Sequence, residues 1–141
     1  SMVTKEDREL LQEALRAQEN AYCPFSKYPV GAAVRTKSGK IYSGCNVESA
    51  SFSLTCCAER VAVFKAVSEG HKKVDACAIA TIEGVPAPPC GACRQVLWEF
   101  GGNMRVVLGN PKGDVRTLSL GDLFPEGFTA EQLIAVTEKA D

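Results

Sequence analysis

The apolar positions of this chain come in two kinds of run, some spaced for helices and others too short and dense for anything but strands. Thr4 and Asp7 stand ahead of Leu10, Leu11, Ala14 and Leu15. A capping pair followed by that spacing predicts an amphipathic helix ending near Ala21. Residues 30–36 and 41–47 are short β-prone runs separated by Lys37-Ser38-Gly39-Lys40, which predicts a hairpin. Behind Cys57, the residues Val61, Ala62, Val63, Phe64, Ala66 and Val67 are apolar on nearly every side. That is the pattern of a largely buried helix, here closed by Gly70. Residues 75–81, 105–108 and 115–118 read as further strands, 91–100 as a helix stopped by Gly101-Gly102, and 122–124 as a short helix. Residues 129–136 form either a last helix or a docking arm. Strands alternating with helices, opened by a hairpin, predict an α/β protein with a mixed sheet in one domain spanning residues 1–141.

The segments between these runs are informative too. Residues 22–29 carry Pro24 and Pro29 among three rings, Tyr22, Phe25 and Tyr28. Proline disfavours regular structure there, so the rings lie on a loop, either packing it or walling a pocket. At the end of the second β-prone run, alternation puts Asn46 and Glu48 on one side. They are either a solvated strand end or an amide–carboxylate pair able to hold the hydroxyls of a polyol. Residues 82–89 contain Pro86, Pro88, Pro89 and Gly84, a loop that delivers Cys90.

Composition narrows the function classes. The chain is 45% hydrophobic and 23% charged, with 16 basic and 17 acidic residues and a formal net charge of -1. No basic stripe exists to hold a polyanion, which argues against nucleic-acid binding. No apolar run approaches the roughly 18 residues of a membrane span and no signal-peptide core opens the chain, so a cytoplasmic protein is expected. Seven cysteines are an odd number without the spacing of a small secreted framework. In a reducing compartment such a set points to metal or catalysis.

Three of those cysteines have metal-ligand spacing. Cys90 and Cys93 form a C-x-x-C pair, and Cys57 lies 33 positions before Cys90. Zinc accepts thiolate sulfur readily, and three protein ligands leave it one open position, the mark of a catalytic rather than a structural ion. Both cysteine groups fall where a loop gives way to a helix, whose unpaired N–H groups favour thiolate over thiol. Arg60 offsets part of the negative charge if its guanidinium reaches a sulfur. Glu59 can face the open position, take a proton from water there and return it to a leaving group. The reaction class is hydrolysis at an amine- or amide-bearing carbon. A closed structural zinc site would need Cys45, Cys56 or Cys77 as fourth ligand, and a redox pair at Cys90 and Cys93 lacks a thioredoxin-like setting. His71, the single histidine, reads as solvated in a charged turn.

The stretches Cys57-Ala58-Glu59-Arg60 and Pro89-Cys90-Gly91-Ala92-Cys93-Arg94-Gln95-Val96-Leu97 match the zinc-deaminase signature. Taken with Asn46-Val47-Glu48, Ala21-Tyr22-Cys23-Pro24-Phe25-Ser26, Pro29-Val30-Gly31-Ala32-Ala33 and Val67-Ser68-Glu69-Gly70, the chain resembles the small, tetrameric, all-cysteine type of cytidine deaminase along nearly its whole length. The resemblance implies a three-layer α/β/α fold on a roughly five-stranded mixed sheet. It further implies one zinc per subunit on Cys57, Cys90 and Cys93, and hydrolysis of cytidine and 2'-deoxycytidine, a reaction of pyrimidine salvage. It makes Glu59 the proton shuttle and Arg60 a hydrogen-bond donor to the thiolates, and has Asn46 and Glu48 grip the ribose. Tyr28, Ala58 and the Pro88 carbonyl would contact the base, and Phe128 would cover the base of a neighbouring subunit in a homotetramer. Ser49, Phe52 and Pro88 stand where the family more often has Asn, Tyr and Ser. Phe52 cannot donate the hydroxyl hydrogen bond. The alternatives are a deaminase of a cytosine nucleoside antibiotic such as blasticidin S, which lacks the glutamate of Asn46-Val47-Glu48, and a non-catalytic zinc or RNA-binding module.

Overall fold

Helix α1 (Lys5–Gln18) starts where the capping pair predicts in this computed structural model, which describes residues 2–82 and 84–139. The Asp7 amide donates to Thr4 Oγ1 at 3.1 Å, and the Thr4 amide donates to Asp7 Oδ2 at 2.8 Å. The helix ends at Gln18 rather than near Ala21 because the chain is then drawn into a bridge. The Tyr22 amide donates to the Asn46 carbonyl, and the Glu48 amide to the Tyr22 carbonyl, each at 2.9 Å.

The predicted strands form one five-stranded sheet: β1 (Gly31–Thr36), β2 (Ile41–Cys45), β3 (Val74–Ala80), β4 (Arg105–Gly109) and β5 (Val115–Ser119), in the order β2-β1-β3-β4-β5. Only the β3–β4 pair is parallel. Successive side chains leave opposite faces of a strand, and this sorts the core into two layers. Ala32, Val34, Cys77, Ile79, Val106 and Leu108 meet α2 (Ala58–Ser68) and α3 (Gly91–Gly101). Ala33, Ala76, Ala78, Ala80 and Val107 meet Leu10, Leu11 and Ala14 of α1. The result is a three-layer α/β/α arrangement. The α1 face is paved with alanine, so the helix lies close. A Cβ on Gly31 would stand 1.9 Å from the Ala14 carbonyl oxygen, a clash the backbone cannot relieve cheaply.

Helix α4 (Leu120–Leu123) follows directly on β5, two residues before its predicted start, because the Leu120 amide donates to the Met104 carbonyl and turns the chain there. The segment 49–55 contains a single 3-10 turn, Phe52–Leu54. The tail forms helix α5 (Ala130–Lys139). His71 is half-buried rather than solvated: its ring lies 5.6 Å from that of Tyr42, and Nδ1 is 3.4 Å from Ser38 Oγ.

One ion pair ties α1 to the sheet. Arg105 donates from Nε to Asp7 Oδ1 at 2.8 Å and from Nη2 to Asp7 Oδ2 at 2.6 Å. This guanidinium holds the buried Asp7 carboxyl at about 2, below its ordinary 3.8. A depressed carboxyl contributes its stability in full above the unfolded value and loses it as pH falls from about 4 through about 2. The Arg105 side chain is 35% exposed, so solvent screening trims the contribution. Asp7→Asn is expected to lower stability by about 1–2 kcal/mol at pH 7 and to change it little below pH 2. Urea midpoints at the two pH values check this, and an unchanged midpoint at pH 7 contradicts it.

Candidate active site

Two helices begin with a cysteine that does not cap them. Cys57 is the N-cap residue of α2 and Cys90 that of α3, and neither side chain makes a capping hydrogen bond. Ser, Thr, Asp or Asn would hold those orphan amides better. The sulfurs turn to each other instead. Cys57 Sγ and Cys90 Sγ are 3.9 Å apart, and with Cys93 in the first turn of α3 all three sulfurs lie within 4.8 Å of one another. Ligands of a tetrahedral zinc at about 2.3 Å sit roughly 3.8 Å apart, so the donor set fits zinc. Among the described residues no other histidine, cysteine or carboxylate joins this cluster. Cys77 is buried in the sheet core, and Cys45 and Cys56 stay outside the cluster. The closed structural site is therefore not formed.

The charges favour thiolates. Arg60 Nη2 donates to Cys57 Sγ at 3.6 Å and to the Thr55 carbonyl at 3.3 Å, while its buried Nε has no partner. The Cys57 thiol is lowered to about 5, first by the hydrogen bond from Cys93 and then by Arg60 and Cys90, against the effect of burial. The Cys93 thiol is pushed up by its bond to Cys57 and by burial. Metal binding releases thiol protons.

Glu59 sits in the first turn of α2 and is 5% exposed. Burial raises its carboxyl to about 7, with the Cys57 charge adding and its own amide and Cys93 opposing. A carboxyl poised near neutrality can take a proton and give it back. It opens onto a cavity of about 410 Å³, in the range of small-molecule sites. Tyr28, Asn46, Glu48, Ala58 and Pro88 line the same cavity beside Cys57 and Cys90. A larger cleft of about 560 Å³, lined by Lys37, Lys73, Trp98 and Asn103 among others, holds no metal donor cluster among the described residues.

The rest of the wall is made by the loop after α1. Asn46 Oδ1 accepts the Val30 amide at 3.0 Å, and Asn46 Nδ2 donates to the Tyr28 carbonyl at 2.9 Å. One N–H and one lone pair of that amide remain to offer. Glu48 accepts the Phe25 and Ser26 amides at 3.0 and 3.1 Å, together with the Ser26 hydroxyl. The Ser26 hydroxyl is the main cause holding its carboxyl below the ordinary range. Asn46 and Glu48 are thus staples of the 22–29 loop as well as cavity walls. Val47 bridges both Tyr22 and Cys56, so this loop, the strand end and the entry to α2 form one unit.

Sequence reasoning passed over Ser26, Thr55 and Thr81, which also line the cavity. Ser26 meets Glu48 across 22 positions, a contact that only the fold reveals. Phe128 lies outside this chain's cavity. It is exposed, and its carbonyl accepts Gln95 Nε2 at 3.0 Å.

Comparison with known proteins agrees with this geometry. Residues 4–110 match the family described as the cytidine and deoxycytidylate deaminase zinc-binding region. A Halalkalibacterium halodurans protein named cytidine deaminase is 47% identical over 129 residues, covering 90% of this chain and 98% of that protein. The crystal structure of cytidine deaminase from Burkholderia pseudomallei aligns with a TM-score of 0.82 at 47% identity, covering 86% of this chain and 98% of that one. The blasticidin-S deaminase of Bacillus cereus is further off, 30% identical over 140 residues, 90% of this chain and 95% of that protein. The matched span contains Asn46, Glu48, Glu59 and all three clustered cysteines, and the chain belongs to the cytidine and deoxycytidylate deaminase family.

Proposed function

We propose that residues 1–141 act as a single cytidine deaminase domain, hydrolysing cytidine and 2'-deoxycytidine to uridine and 2'-deoxyuridine with release of ammonia, a step of pyrimidine salvage. The observation that carries this reading is one cavity walled by two cysteines of the three-sulfur cluster, by a buried carboxyl raised to about 7, and by Asn46 and Glu48, each hydrogen-bonded to the 22–29 loop.

Zinc on Cys57, Cys90 and Cys93 supplies, when bound, the Lewis acidity that makes water a nucleophile near neutral pH. Arg60 keeps the thiolates charged without taking their place. Glu59 accepts the proton that water gives up, delivers it to N3 of the cytosine ring and then serves the departing amino group. Ala58, in the first turn of α2, presents an amide without an intrahelical partner toward the base. The Pro88 carbonyl offers an acceptor to the amino group, and Tyr28 sets its ring beside the base. Asn46 and Glu48 hold the sugar hydroxyls.

The assembly we propose is a homotetramer with sites at subunit interfaces. Tyr22, Phe25, Val47, Phe52 and Leu54 are exposed by 45–72% of their surface, an apolar rim that a second subunit suits, and Phe128 is free to reach another copy's cavity. We place the protein in the cytoplasm, where seven unbridged cysteines stay reduced. Among the described residues no helix is long and apolar enough to cross a membrane.

Glu48→Gln tests the sugar site. It removes the charge and leaves a poorer acceptor, so the KM for cytidine is expected to rise roughly 10-fold or more, the worth of a charged hydrogen bond. The rise should be smaller for 2',3'-dideoxycytidine, which lacks those hydroxyls. Unchanged kinetics on cytidine would remove Glu48 from the sugar site.

A further inference from the structure

The loop that delivers Cys90 carries Pro86, Pro88 and Pro89. Prolines have no N–H, so this loop is poorly equipped to anchor itself by donating hydrogen bonds and must be held through its carbonyls. Arg94, one turn into α3, supplies that hold. Its Nε donates to the Pro89 carbonyl at 2.7 Å, and its Nη1 donates to the Leu123 carbonyl at 2.6 Å. One planar guanidinium therefore grips the residue before a metal ligand and the residue at the end of α4. Just beyond, Gln95 Nε2 holds the Phe128 carbonyl and Trp98 packs edge-on to Phe124, ring centroids 6.1 Å apart. The segment 123–128 is thus fastened to α3, the helix that carries Cys93 and is entered through Cys90.

We propose that Arg94 is a positioning residue that ties the Pro88–Pro89 wall of the cavity to the tail segment presenting Phe128. The guanidinium occupies the Pro89 carbonyl, the neighbour of Pro88 in the cavity wall. Its other end fixes where the tail leaves α4. Because Phe128 stands outside its own chain's cavity, the tie links the site of one chain to the aromatic cover it offers another. This inference rests on the deaminase reading above, and its two-ended geometry can be tested apart from it. Lysine cannot replace the tie in full, since an ammonium lacks the fixed fork of two donors aimed at separate carbonyls.

The test compares wild type, Arg94→Gln, Arg94→Lys and Gln95→Ala as zinc-loaded proteins, by cytidine kinetics, zinc content and amide hydrogen exchange. Arg94→Gln is expected to keep one zinc per chain and to lose kcat/KM by roughly 10–100-fold, the usual effect of removing a group that orients a ligand-bearing segment. Exchange should quicken at both residues 90–93 and residues 124–128. Arg94→Lys should fall between the two proteins. Gln95→Ala should loosen residues 124–128 alone and raise KM with little change in kcat. Loosening at only one end in Arg94→Gln, or wild-type kinetics in it, would overturn the tie. If Arg94→Gln does not fold, Arg94→Lys decides by the same criteria. A wild-type protein inert on cytidine, with both segments loosened in the variant, sinks the functional reading and leaves the tie standing.

Discussion

Glu59→Gln is expected to bind one zinc per chain, keep its fold and lose turnover of cytidine by roughly 10²–10⁴-fold, the range for a lost general acid–base group. Glutamine matches glutamate in shape and fills the same buried place, where only 5% of Glu59 is exposed. Its amide cannot take up a proton and return it near neutral pH. The carboxyl it replaces is raised to about 7, chiefly by burial, which suits the base-and-acid role we propose for it. Cys57, Cys90 and Cys93 are untouched by the change, and the zinc content separates a lost proton shuttle from a lost metal. Turnover close to wild type in a zinc-loaded Glu59→Gln protein would remove Glu59 from the chemistry.

Cys93→Ser is expected to abolish activity by another route. Cys93 is fully buried, and its sulfur lies within 4.8 Å of those of Cys57 and Cys90. Serine fits the space, but its hydroxyl is not a thiolate, and two cysteines are too few to hold zinc tightly. Zinc content should fall below about 0.1 per chain. The melting temperature should drop to that of wild type treated with a chelator, because metal binding contributes stability only to the folded state. Inductively coupled plasma analysis and a thermal melt check both statements. Full zinc occupancy in this variant would show that the three-sulfur cluster is not the metal site.

Much of the fold was legible because local chemistry and packing agree. The Thr4–Asp7 pair, the alternating strands and the all-round apolar run behind Cys57 each point one way, and the structure follows them. The metal site was legible for the opposite reason: cysteine is a poor N-cap, so Cys57 and Cys90 stand out where local rules would choose another residue. Long-range hydrogen bonding hid the rest. No spacing announces that Glu48 takes the Ser26 hydroxyl 22 positions away, or that Asn46 spends half of its amide on residues 28–30. Of the 22–29 rings Tyr28 lines the cavity, its carbonyl held by Asn46, whereas Phe25 packs against Phe52. The end of α1 was overrun because the bridge from Tyr22 to Val47 is a tertiary feature, and His71 read as solvated because Tyr42 lies in another element.

The central claim is hydrolysis of the exocyclic amine of a cytosine nucleoside at the three-cysteine site. The most direct measurement follows ultraviolet absorbance loss and ammonia release with the zinc-loaded protein on cytidine, 2'-deoxycytidine, free cytosine and blasticidin S in parallel. The account predicts one ammonia per uridine or deoxyuridine formed from the two nucleosides, with free cytosine and blasticidin S turned over far more slowly. Activity on free cytosine or blasticidin S alone, or none on any of the four, would contradict it.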